Sequence, residues 1–342
     1  MYYGSGSWET VAASIKSNDT HKFDFESKAL DMTFKEGELV TASPQGPQQF
    51  KHFALTEHAE GQVCGRMDVP VGYYRKVRDT KPALSDAMLN HGLAQMTSRA
   101  MTSRKSSNFL VRAKGRAVRG FLSDSYSVID DKDIVGIVHD LTEGKFSHTI
   151  RSYSVSDKQF YLKVTCDDLS IPDPSPGGNG MELKVGFTIG NSEVGARMLS
   201  CEPFIFRQSC TNDAQVVVDR MIRQRHQHVN VDYVKYALTQ SINYAFRSGD
   251  QLLDRMLKSR EEKIEKPEDV IRKLTKKSKY SKRATDAVLL AFNAEPEDNR
   301  FGIINAFTRA AQNVESYDDR LEIERFGGSL ITKPDSFWRA AA

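Results

Sequence analysis

The chain lacks most of the short motifs that identify an activity. Its four cysteines, Cys64, Cys166, Cys201 and Cys210, include no Cys-x-x-Cys pair, so we expect reduced, buried thiols rather than a metal or disulfide framework. No phosphate-binding P-loop, G-x-G-x-x-G motif, Ser-His-Asp or Cys-His arrangement, helix-turn-helix or zinc-finger pattern stands out. These absences argue against ATP-driven chemistry and base reading in the major groove, and we expect no cofactor.

Long apolar runs are also missing. No stretch approaches the roughly 20 apolar residues of a membrane span, and MYYGSGSWETVAAS does not place an apolar run after a basic one, as a secretory signal does. We therefore expect a cytoplasmic protein without membrane contact. The formal net charge of +3 is too small to indicate nucleic acid, so the distribution of charge matters more.

Acidic residues are absent from Ala87 to Ser123. Within this segment, Asn108–Ala113 and Ala117–Ser123 alternate as strands do and flank Lys114-Gly115-Arg116, a turn in which glycine can take a positive φ. The pattern predicts a basic β-hairpin, with Arg119 and Phe121 on one face of its second strand. The segment's cations are Arg99, Arg104, Lys105, Arg112, Lys114, Arg116 and Arg119.

A groove lined by these seven cations would hold backbone phosphates, and the aromatic side chains of Phe121 and Tyr126 would contact bases. The alternative is a solvated hairpin face, which commonly carries Lys and Arg. A second basic region, Arg272 to Arg283, contains Tyr280. We interpret it as a solvated helix or flexible link, with a second DNA-contacting surface or an intersubunit surface as the alternatives.

The rest of the pattern predicts an α+β fold, in which an antiparallel sheet with the basic hairpin is packed by helices and followed by a helical C-terminal region. We divide the chain into a weakly patterned segment (1–50), an α+β core (51–250) and a helical, basic region (251–342). Expected elements include a helix at Asp133–Leu141 capped by Asp130 or Asp131, and a long helix at Val216–Arg247, for which a break near His228–Asp232 is the alternative.

The segment Gly190-Asn-Ser-Glu-Val-Gly195 follows a predicted strand. Asn191 or Ser192 could start a turn or cap one helical turn, and the glycines permit unusual backbone angles. We interpret this segment as structural. A functional surface position for Glu193 is the alternative.

Four segments together resemble a known family: QVCGRMDVPVGYY, RAVRGFLSDSYSVIDDKDIV, GFTIGNSEVGARMLSCEPFIFRQSCTND and AFTRAAQNVESYDDRLEIERFGG. Across residues 55–328 the chain resembles the uncharacterised phage- and plasmid-like family called domain of unknown function 932, with NSEVG and CTN as its most specific signature. That resemblance implies a mobile-DNA context and no particular activity. The order of a helix, a basic hairpin, a meander and an accessory helix more loosely resembles the phage single-strand annealing proteins of the RecT and Redβ kind.

The sequence thus favours a non-catalytic protein that binds single-stranded DNA and anneals it without ATP during recombination or replication, as a homo-oligomeric ring or filament. One rival is a metal-dependent nuclease in which Asp173, Glu182 and Lys184 form a Pro-Asp … Glu-x-Lys site. Another is a structural or regulatory interaction protein. His226-x-His228 is a weak metal candidate, because residues two apart on a helix do not face each other.

Overall fold

The computed structural model describes residues 2–45, 50–103, 106–173, 180–208, 212–215, 222–224, 226–314 and 317–341. These residues form two β-sheets and twelve α-helices, which confirms the predicted α+β class. The strands are β1 (Tyr2–Gly6), β2 (Lys22–Lys28), β3 (Met32–Lys35), β4 (Glu38–Gln45), β5 (Phe50–Leu55), β6 (Asn108–Lys114), β7 (Ala117–Ser123), β8 (His148–Val155), β9 (Phe160–Pro172), β10 (Glu182–Asn191), β11 (Leu199–Arg207), β12 (Asn212–Gln215) and β13 (Ile222–Gln224). The helices are α1 (Trp8–Asp19), α2 (Glu57–Arg66), α3 (Val71–Thr80), α4 (Pro82–Ser103), α5 (Asp131–Thr142), α6 (Val231–Arg247), α7 (Gly249–Glu261), α8 (Pro267–Lys277), α9 (Lys282–Ala294), α10 (Arg300–Ala310), α11 (Tyr317–Leu330) and α12 (Asp335–Ala341).

Sheet A is antiparallel, with strand order β1-β8-β9-β10-β11-β12 and β13 paired to β11. Residues of one face pack against helices at both ends of the sheet. Phe187 and Ile189 of β10 join a core with α1, α5 and α6, whereas Leu183 and Val185 join a core with α7 to α12. Alternate, apolar residues of β10 therefore pack against two different groups of helices.

Sheet B has the strand order β2-β6-β7-β5-β4-β3. All its pairings are antiparallel except that of β5 with β7. Phe53, Phe109 and Phe121 pack with α2, α3 and α4 in a core of their own. The N-terminal 45 residues contribute strands to both sheets, because β1 pairs with β8 and β2 pairs with β6.

The predicted hairpin is confirmed as β6 and β7, with Gly115 at a φ of 57° in the turn. The helix expected at Asp133–Leu141 is also present as α5, with Asp130 at its N-cap. The part of the predicted helix Val216–Arg247 that follows the expected break near His228–Asp232 is confirmed as α6, which begins at Val231. The part before the break is wrong at Ile222–Gln224, which is a strand, and residues 216–221 and 225 lie outside the described residues. Pairing with β11 determines that local conformation, and helical periodicity does not reveal such tertiary pairing.

Among the described residues, no helix is both long enough and apolar enough to cross a membrane.

Candidate nucleic-acid interface

The basic hairpin lies inside sheet B instead of projecting from it. β6 has β2 on one side and β7 has β5 on the other, so neither strand is an edge. Arg112 and Arg119 are each 3% exposed and Phe121 is fully buried, with its ring stacked on that of Phe109. These three side chains therefore do not line an open groove. The prediction that they contact nucleic acid is wrong, because they are buried.

Acids from distant parts of the sequence neutralise the two buried arginines. Arg119 Nη1 lies 2.7 Å from Glu193 Oε2, which also lies 2.8 Å from Lys22 Nζ. Arg112 donates to Asp24 at 3.0 Å, to Asp130 at 2.6 Å and to the carbonyl oxygen of Glu193 at 2.9 Å. We call Lys22, Arg112, Arg119, Asp131 and Glu193 the junction network, because it joins sheet B to the end of β10 in sheet A.

Ionisation within the junction network follows from burial and neighbouring charge. Burial alone raises the pKa of Glu193, but Arg119 and Lys22 outweigh it and hold that pKa below its ordinary value. Asp131 accepts a 2.8 Å hydrogen bond from Asn191. Its burial and the nearby Glu193 raise the pKa of Asp131. The two acids therefore shift in opposite directions, with Glu193 charged and Asp131 favoured as the protonated form.

A β-bulge explains why Arg119 and Phe121 do not share an environment. Arg112 pairs with Gly120 and Ala113 with Val118, so Arg119 is an extra residue on β7. A bulge of this kind changes the direction of a side chain. Arg119 consequently reaches Glu193, while Phe121 packs on the core side, and the predicted common face is wrong.

The other cations of the acid-free segment have varied surroundings. Arg99 is exposed, 3.7 Å from Asp68, and Arg116 is exposed near the hairpin turn. Lys114 is half-buried and contacts Asp157 at 2.9 Å and Asn18 at 3.1 Å. Arg104 and Lys105 lie outside the described residues.

The 191–195 segment belongs to the connection from β10 to β11 within sheet A, and its first four residues are buried where it packs against sheet B and α2. Ser192 Oγ accepts from the backbone N–H groups of Val194 and Ala196, at 3.3 and 2.9 Å, so Ser192 organises a turn as the sequence indicates. His58 and Gln62 of α2 both contact the carbonyl oxygen of Val194. Since Glu193 is only 3% exposed, its contacts are structural, and the alternative of a surface position is wrong.

Tyr126 lies beside this connection. Its hydroxyl donates to the carbonyl oxygen of Ser192 at 2.8 Å and lies 3.0 Å from Nδ1 of His226. Burial, assisted by Arg112, lowers the pKa of His226 to about 4, so the imidazole is neutral at pH 7. Tyr126 and His226 thus form a neutral, hydrogen-bonded pair.

The second basic region has open cations. On α8, Val270, Ile271 and Leu274 are buried, and this helical spacing turns the charged positions outward. We call the exposed set on α8, α9 and their connection the basic helix pair; apart from Lys273, its members have no acidic partner among the described residues. The set is Arg272, Lys273, Lys276, Lys277, Lys279, Lys282 and Arg283.

The aromatic residues near these cations are largely engaged in packing. Tyr280 is half-buried and contacts the rings of Phe307 and Phe326. Lys277 Nζ lies 5.3 Å from the centre of the half-buried Phe337 ring. The basic helix pair therefore offers charge for phosphates rather than a stacking platform for bases.

The nuclease residues do not converge on a metal. The carboxylate of Asp173 is buried against Arg207 at 2.7 Å, while Lys184 contacts Asp167 at 2.9 Å and Glu182 at 3.4 Å. Nδ1 of His226 contacts the hydroxyl of Tyr126. The part of the chain described by the structure contains no group of three or more His, Cys, Asp or Glu residues suited to a metal ion.

A cleft that the sequence does not indicate opens where α2, the end of β7, β11 and α11 meet. We call it the junction cleft; its volume is about 590 Å³. Arg66, Arg197 and Arg325 line it together with Tyr126, Glu202 and His226. No sequence signal could have assembled these arginines, because they come from parts of the chain that only the fold brings together.

No protein-family model, curated protein or solved structure matches the chain.

Proposed function

We propose that this protein binds nucleic acid without catalysing a reaction, and that the basic helix pair supplies the phosphate contacts. The observation that carries the proposal is the exposure of all seven cations between Arg272 and Arg283, in a stretch without Asp or Glu. Exposed cations that contact a phosphate backbone release its condensed counterions, and this release favours binding. The buried arginines of the hairpin are not accessible to a phosphate backbone.

Single-stranded DNA remains the expected form of the nucleic acid. Phosphate contacts carry no sequence information and leave base edges available for pairing, as ATP-independent annealing requires. One helix pair covers a short stretch of strand, so we retain the expectation of a ring or filament. The mobile-DNA context implied by the family resemblance is part of the same proposal.

Duplex DNA is a second candidate on the strength of one observation. Four residues, 278–281, connect α8 to α9, and Lys279 within them has a φ of 58°. A connection of this length is typical of helix-turn-helix units, whose second helix enters the major groove by its N-terminal end. Lys282 and Arg283 occupy that end of α9.

The test compares two variants with the same change in charge. In the first, Lys276, Lys279, Lys282 and Arg283 are replaced by Gln. In the matched control, four exposed lysines elsewhere, Lys16, Lys35, Lys51 and Lys145, are replaced by Gln. Binding to labelled single- and double-stranded oligonucleotides is measured across a salt series, and annealing of complementary strands is followed without ATP.

We expect the wild type and the control to share a steep salt dependence. The helix-pair variant should lose about 0.7 from the magnitude of the logarithmic slope for each single-strand phosphate contact removed. No binding by the wild type, or equal slopes for the two variants, would reject the helix pair as the interface. Tighter duplex binding would select the second candidate, and Mg²⁺-dependent cutting that Glu182→Ala abolishes would favour the nuclease.

A further inference from the structure

The lining of the junction cleft contains more basic than acidic side chains. Arg325 contacts both carboxylate oxygens of Glu202, at 2.6 and 2.9 Å, so these two side chains neutralise each other. Arg66 is exposed and has no ion-pair partner among the described residues. With Arg197 also in the lining, the cleft presents three guanidinium groups against one carboxylate.

Arg197 is held in a defined position. Its guanidinium carbon lies 4.2 Å from the centre of the Tyr161 ring, and Nη2 donates to Ser200 Oγ at 3.1 Å. Stacking on an aromatic ring fixes the plane of a guanidinium group. Arginine held in this way suits bidentate hydrogen bonding to a phosphate.

The lining also contains apolar and aromatic surface beside the charges. Met198 is 37% exposed and Tyr126 is half-buried, and both line the cleft. The Tyr126 ring is fixed by its hydrogen bonds to Ser192 and His226. A ligand that satisfies this lining needs an anionic group and a planar, partly apolar group together.

We propose that the junction cleft binds a nucleotide, with Arg66 and Arg197 on its phosphate and the base against Tyr126 and Met198. Guanidinium groups form strong, charge-assisted hydrogen bonds to phosphate oxygens. The volume of about 590 Å³ lies within the range of roughly 300–1,000 Å³ common to small-molecule sites. The ligand is either a free nucleoside monophosphate or the phosphorylated end of a strand, and the site does not depend on the basic helix pair.

Calorimetric titration of the full chain with thymidine monophosphate, thymidine and inorganic phosphate tests this site. We expect the nucleotide to bind at least about tenfold more tightly than either the nucleoside or inorganic phosphate. Arg66→Gln should weaken nucleotide binding by about tenfold. Arg247→Gln, which removes an exposed arginine of α6, is the matched control and should leave binding unchanged.

Equal affinities for the nucleotide and the nucleoside would overturn the proposal, as would equal affinities for the nucleotide and inorganic phosphate. Absence of nucleotide binding up to about 1 mM, or an Arg66→Gln variant that binds as the wild type does, would overturn it too. A competition experiment on the helix-pair variant then distinguishes a free nucleotide from a strand end. Displacement of the mononucleotide by a phosphorylated oligonucleotide but not by its unphosphorylated form supports a strand end, and nucleotide binding without displacement supports a free nucleotide.

Discussion

The hairpin and the basic helix pair are both rich in Lys and Arg and free of acids in sequence, yet the fold treats their charges in opposite ways. Arg112 and Arg119 are 3% exposed and paired with Asp24, Asp130 and Glu193. The cations of the basic helix pair are exposed. An acid-free segment therefore shows only that its cations have no acidic partner nearby in the sequence. Acids from distant parts of the chain can still pair with those cations in the fold.

The two regions differ because strands and helices distribute neighbours differently. A central strand has neighbours on both sides and layers on both faces, so a charged side chain there must find a buried partner. α8 presents one apolar face, through Val270, Ile271 and Leu274, and leaves the other face to solvent. The junction network thus contributes to the fold, and the basic helix pair is the region available to an anionic ligand.

The largest effect should come from removing the central acid of the junction network. Glu193→Ala leaves Lys22 and Arg119 buried without this carboxylate. Breaking a buried ion pair from one side costs about 3–5 kcal/mol, and we expect a loss of that size in the free energy of unfolding. Urea denaturation measures it, and nucleic-acid affinity of the folded fraction should not change.

An exposed ion pair provides the matched control. Glu57 contacts Arg75 at 3.1 Å and its side chain is 83% exposed, so Glu57→Ala should cost less than about 1 kcal/mol. If Glu193→Ala does not fold, Arg119→Met, which removes one cation and keeps an apolar side chain, replaces it. Losses equal to that of Glu57→Ala would contradict the structural role of the network.

The sequence predicted the α+β class, the hairpin and the helix after Asp130 because these depend on local signals. Alternation, a glycine turn and a capping acid act within a few residues. The helical spacing of Val270, Ile271 and Leu274 was also readable and would have predicted outward cations on α8. The exposed cations of α8 agree with the interpretation of this part of Arg272–Arg283 as a solvated helix.

The burial of the hairpin could not be predicted in the same way. It depends on the pairing of β6 with β2, some 80 residues earlier in the chain, and on the approach of Glu193 from β10. The bulge at Arg119 likewise arises from strand register. Such non-local pairings leave no periodic trace in a single sequence, and the junction cleft depends on them as well.

A second, smaller effect is the pH dependence of stability that Asp131 and Glu193 of the junction network produce. An acid with a raised pKa in the folded state binds its proton more tightly there than in the unfolded chain. For Asp131 this contribution is complete below the ordinary aspartate pKa of about 3.9 and is lost as the pH rises through the raised value. Glu193, whose pKa is lowered, contributes in the opposite sense and loses its part as the pH falls.

Asp131→Asn should therefore make stability less dependent on pH above the ordinary aspartate pKa. From pH 5 to pH 8, the free energy of unfolding should fall by at least about 1.4 kcal/mol less in the variant than in the wild type. This difference corresponds to one pKa unit. Urea denaturation at both pH values measures the difference, with the exposed Asp140→Asn as control. Parallel pH profiles for the wild type and Asp131→Asn would show that Asp131 does not hold its proton in the fold.

The smallest effect is expected at the exposed end of the hairpin, and it tests the comparison most directly. Arg116 is exposed near the turn, so Arg116→Gln should change the free energy of unfolding by less than about 0.5 kcal/mol. If the basic helix pair alone contacts phosphates, the salt dependence of oligonucleotide binding stays that of the wild type. Lys279→Gln, the matched substitution on the basic helix pair, should lower the magnitude of the slope by about 0.7. The reverse result is a reduced slope for Arg116→Gln and an unchanged slope for Lys279→Gln. It would place the interface at the exposed hairpin turn, with the buried arginines stabilising that turn.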